Sequence, residues 1–225
     1  MLRIDLQVHT TAGSPDSVIA PAELSTRCRL TGIHGVATTE HLAPVQVASD
    51  LPVSKVDDCL VIPAREVTYL GAHLLVLSSD LELLTQIPRR VEDEWWFRQG
   101  PSAVIWAHPG AATGSSAYPA RMPNPEGMAD VVHCVELLNG RHLHFAETID
   151  VGRRLALSLG CAMTGGSDAH APADIGRCFT IIEAEPTVDS VIAALRSQRC
   201  EPALGAAWAA LHDYHYRGDL EEYLR

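Results

Sequence analysis

The sequence predicts an α/β domain whose mainly parallel sheet closes into a distorted barrel. Short apolar runs of strand length alternate with segments of helical spacing, the pattern of βα units. At 225 residues with 47% hydrophobic side chains, the chain is long enough to bury a sizeable core. Finally, run after run ends in a polar group: His9, Glu40-His41, Glu66, His108, Glu136, then Asp168 and His170. In parallel α/β folds the C-terminal ends of the strands converge on one face, where sites assemble.

Each element has a local reason. Arg3 to Val8 alternates apolar and polar residues as a strand does and runs into His9, two threonines and a turn at Gly13 to Asp16. Pro21, tolerated in a first helical turn, opens a helix through Leu30 that Gly32 stops. His34 to Thr39 reads as a second strand and Leu60 to Val67 as a third, followed across a Tyr69-Leu70-Gly71 turn by the apolar run Ala72 to Ser78. Helical spacing follows from Leu81, with Pro88 as a break and Trp95, Trp96 and Phe97 as packing residues near its end. Ala103 to Ala107 is a buried strand meeting His108-Pro109-Gly110, and Gly110 to Gly127, rich in Gly, Pro, Ser and Ala, is a long loop of the kind that carries function. Strands at Val131 to Leu138, Cys161 to Thr164 and Phe179 to Glu183 and helices at His142 to Leu159 and Val188 to Arg196 complete the alternation.

There is no repeat, low-complexity tract or dividing linker, so residues 1–225 read as one domain. No uncharged apolar run reaches the ~18 residues of a membrane span, and no basic segment leads into an apolar core at the start, so the expectation is a cytoplasmic protein without a membrane partner. The six cysteines stand far apart with no C-x-x-C pair, suggesting neither a disulfide framework nor a cysteine zinc site. A formal charge of −11 argues against holding long nucleic acid, which rests on many Lys and Arg contacts to phosphates. A small substrate is expected instead. If it is anionic, metal ions are the most compact source of the positive charge it must meet.

The candidate ligands are His9, Asp16, His41, Glu66, His73, His108, Asp168 and His170. Imidazoles with carboxylates suit Zn, Mn or Fe, and so many carboxylates on one face would repel each other without cations. The remaining histidines (His34, His133, His142, His144, His212, His215) show no strand-end pattern and read as structural or solvent-facing. One position is odd: two residues before His9, where a second imidazole would naturally stand beside it, the sequence has Gln7. Paired divalent ions can generate a hydroxide near neutral pH and clamp phosphate oxygens, so Asp168 is placed at the reacting centre. Glu40 is a candidate to orient His41 or to handle a proton, with a backbone-bonded strand-end carboxylate as the alternative. Arg141 and Arg177 follow glycines near the expected face and are candidates to fork onto a substrate phosphate, or are solvated surface arginines.

D-L-Q-V-H-T followed by S-P-D-S, T-E-H at 39–41, R-E-V at 65–67 with A-H-L-L at 72–75, A-H-P at 107–109, E-L-L-N at 136–139 and G-G-S-D-A-H at 165–170 together resemble the ordered motifs of the PHP (polymerase and histidinol phosphatase) family. The resemblance implies a distorted (β/α)7-type TIM-like barrel with two to three divalent metal ions at its C-terminal face. It implies a first ion among Gln7, His9, Glu66 and Asp168, a second held by the bridging Glu66 with His73 and His108, and a third held by Asp16, His41 and His170. The family normally has histidine at the position of Gln7, so a re-tuned first site is expected. The implied activity is hydrolysis of a small phosphorylated metabolite or nucleotide. A non-catalytic or regulatory metal-binding module and a hydrolase of another bond are the alternatives.

Overall fold

The computed structural model describes residues 1–42, 59–110, 125–141 and 145–206. The strands are β1 (Leu2–Val8), β2 (Gly35–Glu40), β3 (Leu60–Tyr69), β4 (Ala72–Ser78), β5 (Arg90–Val91), β6 (Ser102–Trp106), β7 (Cys134–Asn139), β8 (Ala162–Gly166), β9 (Cys178–Ile182) and β10 (Cys200–Leu204). The helices are α1 (Leu24–Thr31), α2 (Leu81–Gln86), α3 (Phe145–Leu159) and α4 (Val188–Arg196). Gly32 ends α1 at φ 72°, a left-handed cap that costs glycine little. Leu70 and Gly71, at φ 48° and 86°, turn β3 directly into β4 with Tyr69 paired to Ala72, a two-residue connection of the kind that needs positive φ at both positions.

The sheet runs β10-β9-β1-β2-β3-β4-β6-β7-β8, with β5 added beside β3. Its two ends approach each other. β8 packs against β10 and β1, Gly165 N donates to Thr180 Oγ1 on β9 at 2.9 Å, and a parallel bridge joins Val8 to Ala169. The result is a nearly closed, distorted barrel. The sheet is less parallel than expected: among the described residues, β1–β2, β2–β3, β6–β7 and β7–β8 are parallel, while β1–β9, β9–β10, β3–β4 and β4–β6 are antiparallel. The tight turn after Tyr69 leaves no room for a crossover, so β4 must run antiparallel to β3.

Ile4 and Leu6 of β1 join Ile62 and Ala64 of β3, Leu75 and Leu77 of β4 and Ile105 of β6 in one apolar cluster filling the barrel. Val191, Ile192, Ala194 and Leu195 of α4 belong to the same cluster, each large side chain contributing about 1.5–3 kcal/mol by burial. Arg196 donates to Ser102 O at 2.7 Å and Cys134 Sγ meets Leu195 O at 3.4 Å, so α4 closes the barrel at the entry ends of β6 and β7. The other end is left for polar groups. The inward-facing positions of β3 and β4 lead to Glu66 and His73 there.

Two register shifts re-aim side chains at that end. β1 is irregular between Asp5 and Val8, and β7 between Glu136 and Leu138. An extra residue in a strand reverses the facing of everything beyond it. Gln7 and His9 therefore turn inward although Ile4 and Leu6 also do, and Asn139 joins Glu136 on one side of β7.

Cys28 and Cys59 form a disulfide with Cα atoms 6.2 Å apart, correcting the expectation of no cysteine pairing. Residues 31 apart in sequence are brought together where α1 lies against the start of β3, a proximity that spacing does not reveal. Cys134 and Cys178 are buried, as small apolar residues often are. Residues 111–124 of the expected loop, together with His142, His144, His212 and His215, lie outside the described residues. No helix among the described residues is long and apolar enough to cross a membrane.

Candidate metal centre

At the end of the barrel where β1, β2, β3, β6 and β8 finish and the antiparallel β4 starts, β1 delivers Gln7 and His9, β2 leads to His41, β3 carries Glu66, β4 carries His73 as its second residue, β6 leads to His108, and β8 leads to Asp168 and His170. Glu66 is the hub. Its Oε1 lies 2.6 Å from His73 Nδ1 and 3.6 Å from His108 Nε2, while its Oε2 lies 3.2 Å from His9 Nε2 and 3.9 Å from His41 Nδ1. Asp168 Oδ1 stands 3.3 Å from His9 Nε2 and 3.7 Å from His170 Nδ1, and Asp16 Oδ2 stands 3.4 Å from His41 Nε2 and 3.2 Å from His170 Nε2. Candidate ligand atoms of Glu66, His73 and His108 lie within 4.8 Å of one another, as do those of His9, His41 and His170. The structure therefore gathers all eight expected ligands on one face, with Gln7 beside them.

The donor chemistry fits divalent cations. His9 Nε2 and His73 Nδ1 are buried and face Glu66 outside hydrogen-bonding geometry, an arrangement that suits nitrogen lone pairs aimed at an ion. Glu40 contributes to this from a distance. Its buried carboxylate accepts from the Thr10 hydroxyl, from Thr10 N at 3.2 Å and from the Ser14 hydroxyl at 2.6 Å. With its only proton given to Glu40, Ser14 Oγ accepts from His9 Nδ1 at 3.2 Å and from His41 N at 3.2 Å. His9 thus carries its proton on Nδ1 and turns the Nε2 lone pair toward Glu66 and Asp168, the carboxylate-supported histidine of many metal sites.

Electrostatics show how unbalanced the cluster is without cations. Burial alone would raise the carboxyl of Glu66, but His108, His73 and His9 hold it well below the usual range, and His9 and His108 lower that of Asp168 against its own burial. Burial alone would lower His9, yet Asp168 and Glu66 push it up to about 9; His108 is likewise pushed up to about 9, chiefly by Glu66. These imidazoles take up protons where ions would otherwise balance the carboxylates.

Backbone placement is equally specific. His108 and Asp168 adopt φ 30° and 53°, in the left-handed region that costs an L residue energy and that clusters at functional sites. Asp5, fully buried, accepts from Ser167 N and Gly176 N at 2.8 Å each and from Gln7 N at 3.3 Å, tying β1 to the turn that bears Asp168. Arg65 donates to Leu84 O at 2.8 Å and to His41 O at 3.3 Å, fixing the exit of β2. Arg141 places Nη1 2.6 Å from His170 Nδ1 at the rim of the cluster, while the Arg177 guanidinium pairs with Asp174 at 2.8 Å.

Asp5, Thr10, Ser14, Arg65 and Asn139 stand inside the quoted motifs, but the sequence assigns none of them a role, because each acts through hydrogen bonds made by folding.

A family model described as PHP-associated matches residues 150–200. No curated protein matches the chain. Among solved structures, a two-domain protein from Bacteroides vulgatus, described as containing a predicted PHP-like metal-dependent phosphoesterase, is 20% identical with a TM-score of 0.63; the match covers 91% of this chain and 65% of that one. PsfC from Pseudomonas syringae is 19% identical with a TM-score of 0.67, covering 98% and 100%. Endonuclease Q, solved with an abasic-lesion DNA duplex, is 13% identical with a TM-score of 0.56, covering 87% and 56%. The solved structures share this chain's fold, and the PHP-associated model matches the segment that carries Asp168 and His170.

Proposed function

We propose that the protein is a metal-dependent phosphoesterase acting on a small phosphorylated metabolite or nucleotide. The observation that carries this reading is Glu66, whose two carboxylate oxygens face two separate histidine groups, the disposition of a bridging ligand between neighbouring ions. Glu66, His73 and His108 would hold one ion; His9 and Asp168, with Gln7 beside them, would hold another on the far side of Glu66; Asp16, His41 and His170 would hold a third. Divalent Mn, Zn or Fe there would supply Lewis-acid polarisation of a phosphoryl oxygen and lower the pKa of an attacking water.

The chain's own groups do the rest. Glu40, through Ser14, holds the proton of His9 on Nδ1 and so keeps Nε2 directed into the site. Arg141 at the rim is placed to meet an anionic group entering beside His170. Arg177, engaged by Asp174, would have to exchange that partner to reach a phosphate. The charge of −11 favours a compact substrate over a long polyanion, a choice that the resemblance to endonuclease Q makes worth testing directly. We place this activity in the cytoplasm.

The test is elemental analysis of protein purified without added metal, then a phosphatase screen with Mn, Zn or Fe. Two or more ions per chain and hydrolysis abolished by Asp168→Asn or His170→Ala are expected. Less than one ion per chain after growth in supplemented medium, or wild-type rates in both variants, would refute the reading.

A further inference from the structure

Gln7 stands where the hub of the cluster meets a second, wholly buried carboxylate. One amide atom of its side chain lies 3.4 Å from Glu66 Oε2. The other lies 3.1 Å from Glu136 Oε1, 3.2 Å from Glu136 Oε2 and 3.2 Å from Asn139 Nδ2. If the second atom were the oxygen, an acceptor would face both oxygens of Glu136 and its one donor would be Asn139. If it is the nitrogen, Gln7 Nε2 donates to both Glu136 oxygens, and Gln7 Oε1 takes the place 3.4 Å from Glu66 Oε2, the oxygen that faces His9.

The second arrangement gives up the bond from Asn139 Nδ2, which then faces the Gln7 nitrogen at 3.2 Å, and gains two bonds to Glu136. Asn139 itself is held, because its Oδ1 accepts from Arg141 N at 3.0 Å and its Nδ2 donates to Glu136 Oε2 at 2.9 Å. Glu136 is also fixed by His108 N, which donates to its Oε2 at 2.8 Å. Gly166 is what allows the approach: a Cβ there would lie 2.7 Å from Glu136 Oε1 and 2.9 Å from Gln7 Cβ. The two register shifts described above bring Gln7 and Asn139 onto the faces where they meet Glu136.

We infer that Glu136, held by Asn139 and His108 N, clamps the amide nitrogen of Gln7 so that its oxygen is presented as a ligand beside His9, Glu66 and Asp168. Glu136 is a positioning residue. Through it the first ion gains a hard, neutral oxygen donor, which favours Mn over Zn at that position. This rests on the metal-binding reading above but not on the substrate or the reaction.

The test uses metal-stripped full-length protein and titrates Mn and Zn against a chromophoric chelator for wild type, Glu136→Gln, Gln7→Ala and the double variant. Glu136→Gln should weaken one bound Mn about 10- to 100-fold, the usual effect of losing a partner that orients a ligand, and shift preference at that position toward Zn. Gln7→Ala should weaken the same ion, and the double variant should lose no more than the worse single one. Unchanged affinities in Glu136→Gln, or effects that multiply in the double variant, would overturn the clamp. Should Glu136→Gln fail to fold, the side-chain amide NMR signals of Gln7 in wild type decide: a shift with slowed proton exchange on Zn saturation supports the clamp, and an unchanged signal overturns it. Coupled metal binding without any hydrolysis would leave the clamp standing and remove the phosphoesterase reading, whereas hydrolysis with additive variants would do the reverse.

Discussion

Replacing Asp5 by asparagine isolates what the buried carboxylate of β1 does. Its two oxygens each receive a backbone N–H at 2.8 Å, from Ser167 and Gly176. An asparagine can accept one of these with its amide oxygen, but its NH2 group then faces the other N–H, donor against donor. One buried backbone donor is left without a partner, at a cost of about 1–3 kcal/mol. Taking ~2 kcal/mol and the size of this chain, the melting temperature should fall by roughly 4–8 °C. Asp5→Ala strands the donors from Ser167 and Gly176 and also loses the longer bond from Gln7 N, so it should cost at least about twice as much. Urea denaturation and thermal melts of the metal-free protein measure both. A change below ~0.5 kcal/mol for Asp5→Asn would show that the carboxylate does not hold the turn before Asp168.

Three further outcomes are expected. His9 and His108 are pushed up to about 9, so their contribution to the metal-free protein is full below about pH 6.5 and is lost as pH rises toward 9. Metal affinity should climb over the same range as ions displace those protons; melts with and without chelator that share one pH slope would contradict this. Gly166→Ala brings a Cβ within 2.7 Å of Glu136 Oε1, and the resulting strain should cost about 1–3 kcal/mol and lower metal content; unchanged melting and stoichiometry would count against the close approach. With a charge of −11, binding to long duplex DNA at physiological salt should be weak and nonspecific, and a submicromolar dissociation constant would exclude the small-substrate reading.

The parts of the molecule legible in the sequence are those that periodicity or punctuation marks. Helix α4 runs from Val188 to Arg196 as its spacing predicts, and β4 from Ala72 to Ser78, because each has an apolar face and a clear start. The strand β10 was invisible. Its sequence, CEPAL, holds a charge and a proline, and its backbone pairs with β9 at the end of the strand order, where proline is tolerated. The direction of β4 was equally hidden, since hydrophobic pattern carries no information on parallel or antiparallel pairing. At the centre, polar groups at strand ends announced His9, Glu66 and Asp168. The register shifts that aim Gln7 and Asn139 depend on pairing with strands far along the chain, and no local signal reports them.

The bridge between Val8 and Ala169 also has a temporal meaning. His9 and Asp168 touch across nearly the whole described length, whereas Glu66, His73 and His108 come from three neighbouring strands within one short stretch. Pairings between distant segments form late, because a large loop must close before any contact rewards it. During synthesis the Glu66 group can be complete while the residues around Asp168 have yet to be made. The two sides of Glu66 should therefore fill in sequence, the local ion first, so that the last ion to enter doubles as a report that the barrel has closed.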